Sequence, residues 1–235
     1  MSEGYMLCAF GADNYMKMAN RLIKNIRTYD IHRPIVVLTN DVAHLTTFLE
    51  DMSGVTIKQF YLERHIHPFV DPQNEWNRYG LYPKLYQSQY SPFDLTMFID
   101  VDMEFYQDFT FLWIIYGQDL SPITIGGISN ELNRAPSSWQ WDSISSIMRL
   151  SGLNIPQIFS TLMFYRTSFQ EIVKRDLNTI FENRDTWHLE KKWRESWPDE
   201  IFISILMAMN EIRPSELLFK WISRSSNVNL HNKIM

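Results

Sequence analysis

The chain has a single cysteine, Cys8, in 235 residues, which excludes an internal disulfide and any Cys-rich zinc site. Glycine and proline are scarce, at 8 and 10 residues against 45% hydrophobic content, a balance that argues against disorder and for a well-packed globule. A basic excess is also missing. Acidic residues outnumber basic ones 27 to 22, whereas a general nucleic-acid binder clusters Lys and Arg against phosphate. The densest basic run, Lys191-Lys192-Trp193-Arg194, lies between Glu190 and Glu195 and reads as a solvated helix face. No apolar run approaches the roughly 18 residues of a membrane span; the longest, Ile201 to Met209, reads as a buried helix. Met1-Ser2-Glu3-Gly4 lacks the basic and apolar regions of a signal peptide. These absences lead to the expectation of a soluble, cytoplasmic protein with no integral membrane segment and no nucleic-acid partner.

What is present alternates between strand and helix patterns. Tyr5 to Phe10, Pro34 to Leu38 and Val55 to Tyr61 read as strands. Between them, Asn14 to Tyr29 places Met18, Leu22, Ile23 and Ile26 on one helical face, and Thr39-Asn40-Asp41 offers caps for a helix over Val42 to Leu49. Tyr79 to Tyr90 reads as a further helix, followed by an apolar strand from Leu95. This order predicts an open, doubly wound sheet. The second half is less regular. A helix is expected over Asp108 to Tyr116, strands over Pro122 to Ile128 and Ile158 to Tyr165, and a helix over Phe169 to Phe181. A last helix from Ile201 has Pro198, Asp199 and Glu200 at its start, where proline is tolerated and negative charge is favoured. The Trp-containing stretch Asn133 to Asp142 reads as a substrate loop.

The richest stretch is Leu95 to Phe105. After the turn signal Ser91-Pro92-Phe93-Asp94, an apolar strand ends in Asp100-Val101-Asp102. A strand of this kind suits the interior of a parallel sheet, whose C-terminal end is where such folds bind ligands. Two carboxylates at that place need a cation, a basic partner or solvent. Hard oxygen donors left partly open suit Mg2+ or Mn2+ carrying a phosphate-containing substrate. The plainer alternative is that both aspartates begin a solvated loop.

This pattern resembles the signature of the GT-A glycosyltransferases, in which a D-x-D motif closes the nucleotide-binding half. Phe10-Gly11-Ala12-Asp13-Asn14-Tyr15 is similar to the first strand-to-helix turn of the glycogenin and lipopolysaccharide galactosyltransferase type, which holds the uracil and ribose of the sugar donor. Lys84, a shortened F-N-S-G strand in Phe159-Ser160-Thr161-Leu162-Met163, and Asp199-Glu200 follow in the family's order. The resemblance implies one domain over residues 1–235, with a nucleotide-binding half over about 1–106 and an acceptor-binding half over about 107–235. The implied fold is α/β, a GT-A-like (Rossmann-like) mixed, mostly parallel sheet flanked by helices. Implied donor contacts are Phe10, Gly11, Ala12, Asp13, Asn14, Tyr15, Asp41, Lys84, Asp100, Val101 and Lys233. The implied ligands for Mn2+ or Mg2+ are Asp102, Asp100 and His231, with a water-mediated link to the metal or a contact with the ribose as the alternative for Asp100. The donor would be a nucleotide-diphosphate sugar, with UDP expected, and the acceptor a carbohydrate, glycolipid or glycoprotein hydroxyl. The family's G-x-x-K-P-W pattern after the histidine is absent, and a frayed tail is the other account of His231.

If the reaction inverts the anomeric centre, a carboxylate serves as acceptor base, and Asp199 is the first candidate, with Glu200 and Glu131 behind it; helix-start capping is the structural alternative for the first two. Tyr15, Trp139 and Trp141 offer flat faces to a base or sugar, or serve as packing. His65 and His67 read as solvent-facing. Three rivals stand beside the transferase. A haloacid-dehalogenase-like phosphatase also ends a strand in D-x-D, yet Glu104 stands where it would have Thr. A sugar nucleotidyltransferase would carry a Gly-rich basic loop where this chain has Gly11 alone. The third is a non-catalytic sugar- or nucleotide-binding scaffold on a transferase fold.

Overall fold

The structure is a computed structural model that describes residues 1–65, 71, 73–75, 77–127, 147–187, 189, 199–215, 222–223 and 232–234. Its elements in chain order begin with β1 (Glu3–Cys8), α1 (Asp13–Tyr29), β2 (Ile35–Thr39), α2 (Val42–Thr46) and β3 (Val55–Gln59). There follow α3 (Tyr82–Tyr86), β4 (Leu95–Ile99), β5 (Met103–Phe105), α4 (Phe111–Gly117) and β6 (Ile123–Gly127). The remainder are β7 (Ile158–Arg166), α5 (Thr167–Asn183), α6 (Asp199–Met209), β8 (Ile222–Ser223) and β9 (Asn232–Ile234). Among the described residues no helix is long and apolar enough to cross a membrane.

Six strands form one sheet in the order β3-β2-β1-β4-β7-β6. β3, β2, β1 and β4 run parallel, whereas β7 is antiparallel to β4 and β6. The sheet is therefore mixed and mostly parallel, as expected. All five residues of both β2 and β4 are buried, because helices cover both faces. Strand alternation divides the core in two. Tyr5, Leu7, Ile35, Val37, Met97 and Ile99 meet α1 and α4, while Met6, Val36, Leu38, Phe98, Met163 and Tyr165 meet α3, α5 and α6. α1 joins the first core through Met16, Ala19, Leu22, Ile23 and Ile26, one stripe at helical spacing.

At the N-terminal end of the sheet, a polar network ties β1 to the helices. Tyr5 Oη donates to Asp30 Oδ2 at 2.7 Å and accepts from Trp113 Nε1 at 3.0 Å. Arg33 bridges Asp30 and Glu3 at 2.7 and 2.9 Å.

Several expectations change in detail. The single helix read over Tyr79 to Tyr90 is three pieces: a π-helical turn Asn77–Leu81, α3, and a 3-10 turn Gln87–Tyr90. Pro83, near the start of α3, has no N–H to extend a regular α-ladder from the preceding turn. α2 stops at Thr46, before Leu49, where Thr46 and Thr47 hydroxyls donate to the Val42 and His44 carbonyls. β5 was not foreseen, being three residues long; it pairs in parallel with β9, setting Asn232 beside Met103 and Lys233 beside Glu104. His65 is half-buried rather than solvent-facing. It stacks on Tyr86 and Phe60, with centroids 4.2 and 5.1 Å away, and its Nε2 lies 2.8 Å from Tyr90 Oη. Burial holds its pKa below the usual histidine range. His67, the stretch Asn133 to Asp142, Pro198 and the basic run at 191–194 lie outside the described residues.

Candidate active site

The site grows from the C-terminal end of β4. Beyond Ile99 the Asp100 N–H donates to the Thr161 carbonyl at 2.9 Å, which extends the pairing with β7 by one step. The Asp100 carbonyl then accepts from Met103 N–H at 3.0 Å, closing a tight turn over Asp100-Val101-Asp102-Met103. Val101 sinks into the α1 and α4 core, so any contact it makes with a ligand is through its backbone. Strand alternation puts Asp100, two residues after Phe98, toward α3 and α6.

There Asp100 meets Lys84. Its Oδ2 accepts from Lys84 Nζ at 2.8 Å, and the same Nζ lies 4.0 Å from Oδ2 of Asp199, the first residue of α6. Asp199 is only 5% exposed. Glu200 adds a further carboxyl within electrostatic reach of Lys84 and Asp100. One ammonium thus serves several acids in a partly dry space, and the proton affinities of Asp100 and Glu200 shift accordingly. Burial pushes Asp100 up to about 7, with Asp102 and Asp199 adding to the rise and Lys84 opposing it. Burial and then the Asp199 charge push Glu200 up to about 8. Burial works against the Lys84 charge, but Asp100, Asp199 and Glu200 outweigh it and hold the ammonium well above the usual lysine range. Cys8, at the end of β1, is kept a neutral thiol by burial and by the charge of Asp100.

Two carboxylate oxygens in this region are buried with no hydrogen-bond partner among the described residues: Asp102 Oδ1 and Asp199 Oδ2. Ser160 Oγ and Thr161 Oγ1, on β7, share that condition. The pairing of β7 with β6 passes from Met163 opposite Ile125 to Phe159 opposite Gly126, so Ser160, Thr161 and Leu162 bulge. The short F-S-T-L-M run marked this strand, but nothing in it foretold the bulge.

The turn after β1 borders the same sheet end. Gly11 has φ +77°, a left-handed conformation that favours glycine, and its N–H donates to Asn40 Oδ1 at 3.1 Å. Ala12, Asp13, Asn14 and Tyr15 are exposed, Tyr15 by 44%. Asp13 Oδ1 is 2.9 Å from His44 Nε2. Asp41 caps α2 by accepting from His44 N–H at 2.9 Å, and Phe10 is buried edge-on to Phe60. The fold therefore brings together Lys84, Asp100, Asp102, Asp199 and Glu200 and leaves residues 12–15 open at the end of the neighbouring strand. Lys233 is placed by its backbone beside Glu104. Glu131, Trp139, Trp141 and His231 lie outside the described residues. Among the described residues no three His, Cys, Asp or Glu side chains converge as a complete metal site. The lone buried oxygen of Asp102, in a turn beside Asp100, is nevertheless a hard-donor position of the kind a divalent cation takes.

No family model and no curated protein sequence matches the chain. Solved structures do match. An active-site mutant of LgtC superposes with a TM-score of 0.61 at 13% identity, over 96% of this chain and 80% of that one. Mouse xyloside xylosyltransferase 1 gives 0.55 at 9% identity, over 92% and 84%. The glycosyltransferase GlyE of Streptococcus pneumoniae TIGR4 gives 0.54 at 12% identity, over 92% of this chain but 46% of GlyE, so the chain spans less than half of that protein. At these identities the likeness is one of architecture, and it shows that the chain has the GT-A glycosyltransferase fold.

Proposed function

We propose that the chain is a metal-dependent glycosyltransferase that moves a hexosyl or pentosyl group from a nucleotide-diphosphate sugar, UDP first among candidates, to an acceptor hydroxyl on a carbohydrate, glycolipid or glycoprotein. The observation that carries this reading is the aspartate turn at the end of β4, with a buried Asp102 oxygen that no described protein group satisfies. Structural neighbours support it: LgtC is a galactosyltransferase solved with donor and acceptor sugar analogs. Asp100 and Asp102 would hold Mn2+ or Mg2+, which offsets the charge that develops on the diphosphate leaving group.

The chain's own groups divide the remaining work. Lys84 orients Asp100 and opposes the burial that favours its protonated form. Asp13, steadied by His44, presents a carboxylate oxygen on the open turn to donor hydroxyls or a base N–H. Burial and the neighbouring Asp199 charge raise Glu200 and favour its protonated form, which suits it to donate a hydrogen bond. If transfer inverts the anomeric centre, Asp199 is the first base candidate, with Glu200 and Glu131 behind it, and reach to the acceptor hydroxyl decides among them.

The test is a thermal-shift screen of UDP, GDP, CDP, ADP and dTDP with and without Mn2+ or Mg2+, run beside Asp102→Ala. At a hundredfold excess over Kd, a ligand specific for the folded state adds about 2.7 kcal/mol. The expected result is a metal-dependent rise for one nucleotide, lost in Asp102→Ala, whose urea stability stays within about 1 kcal/mol of wild type because the deleted oxygen has no partner to lose. No shift with any pair would make the aspartates structural and leave a scaffold; equal shifts without metal would remove the cation from the reading.

A further inference from the structure

Lys84 has two carboxylate positions within reach and fills one of them. Its ammonium is 2.8 Å from Asp100 Oδ2 and 4.0 Å from Asp199 Oδ2. The second oxygen is buried and has no hydrogen-bond partner among the described residues. An unsatisfied buried carboxylate oxygen beside an ammonium with three rotatable donors is an unusual arrangement, because a small torsional change in the lysine stem would close the gap. The helices that carry the two groups do not provide the adjustment. Leu81, Tyr82 and Leu85 around α3 and Ile201, Phe202 and Ile205 of α6 belong to one buried core, so the carboxylates hold their spacing and the flexible side chain is what moves.

We infer that Lys84 is a resident counter-ion, which moves from Asp100 to Asp199 when a divalent cation occupies the aspartate turn, and that Asp199 is thereby a positioning residue for metal binding. The inference rests on the reading of Asp100 and Asp102 as cation ligands given above. Before a cation arrives, the ammonium is the positive charge nearest Asp100 and opposes its burial cost. A cation held by the same carboxylate would be repelled by the ammonium in a poorly solvated site. Asp199 offers the ammonium an alternative acceptor 4.0 Å away, and Cys8, kept neutral, adds no competing charge. Without that second position the lysine would have to stay against Asp100 and oppose the metal. Asp199 therefore acts through Lys84, which a simple acidic neighbour does not do.

The two accounts separate in a double-mutant cycle on Mn2+ binding, read by electron paramagnetic resonance of free Mn2+ with the full chain, alone and with UDP. The four proteins are wild type, Asp199→Asn, Lys84→Met and the double variant. Asp199→Asn is expected to raise the Mn2+ Kd roughly tenfold in the wild-type background and about twofold or less once Lys84 is Met, a coupling in the range seen for contacting groups. Lys84→Met alone is expected to bind Mn2+ at least as tightly as wild type. Lys84→Gln, which removes the charge but keeps a polar donor, stands in if the Met variant does not fold, and the same pattern is expected of it. Equal losses from Asp199→Asn in both backgrounds would make Asp199 only one more negative charge and overturn the exchange. So would an Asp199→Asn variant that binds as the wild type does. A folded wild type that binds no Mn2+ under either condition would overturn the cation reading itself, and the exchange with it.

Discussion

Replacing Glu200 by Gln should make the protein more stable, and only above a particular pH. Glu200 has an ordinary value of 4.5 that burial and the adjacent Asp199 raise to about 8 in the folded chain. The folded state therefore binds a proton that the unfolded state releases between those values. Stability that is fully present below about 4.5 is lost as pH rises toward about 8. A change of that span, at 1.36 kcal/mol per pH unit, gives a ceiling of about 5 kcal/mol. Glu200 is partly solvent-accessible, so screening trims the effect to about 2–4 kcal/mol. Glutamine keeps the shape and never ionises. Urea unfolding in metal-free buffer should give nearly coincident curves for wild type and Glu200→Gln at pH 4.5. By pH 9 the variant midpoint should lie higher by about 1–2 M, for a slope typical of a chain this size. Asp100 titrates in both proteins and cancels to first order. A constant offset at every pH, or a variant less stable at pH 9, would refute the claim that Glu200 is held protonated by its surroundings.

Two further outcomes follow from features away from the acidic cluster. Tyr5→Phe leaves Trp113 Nε1 without its acceptor and removes one donor from Asp30, which keeps those of Arg33 and His32; this should cost about 1–3 kcal/mol in urea unfolding while nucleotide-induced thermal shifts stay unchanged. Tyr5 and Arg33 outweigh burial and hold Asp30 below its ordinary 3.8, so the stability this provides is present above 3.8 and is lost as acid protonates Asp30, measurable as a shrinking wild-type advantage below that pH. Gly11→Ala puts a Cβ on a residue at φ +77° and within 3.3 Å of the Tyr79 ring; a loss of about 1 kcal/mol in stability and a smaller nucleotide-induced shift are expected, by thermal melting.

The sheet was readable because its strands are short apolar runs between turn signals. β4 is the clearest case: Leu95 to Ile99 has no polar interruption except Thr96, which is buried and bonded to Ser91. α6 was legible from the acids ahead of its apolar run, although their second role was not. The approach of Asp199 to Lys84 joins positions 115 residues apart, and no periodicity in either helix encodes it. β5 was missed because three residues give no alternation to detect, and it exists as a strand only by pairing with β9. His65 looked solvated because its sequence neighbours are polar; its environment comes from Phe60, Tyr86 and Tyr90, which only the folded chain assembles around it. The candidate site was thus half legible. The aspartate turn has a local signature, whereas the charge balance around it is a product of tertiary packing.

The order of strands in the sheet also dictates a sequence of events at the ribosome. β4 is complete at residue 99, but the antiparallel partner on its free side, β7, begins at residue 158. Until β7 emerges, a strand of five core residues presents an unpaired edge, and the helix that carries Asp199 does not yet exist. A chain arrested after the first hundred residues would hold its parallel strands around an open, apolar seam, prone to pair with another nascent copy. Pairing with β7 is therefore what closes the exposed edge of β4, quite apart from anything that strand does for a substrate.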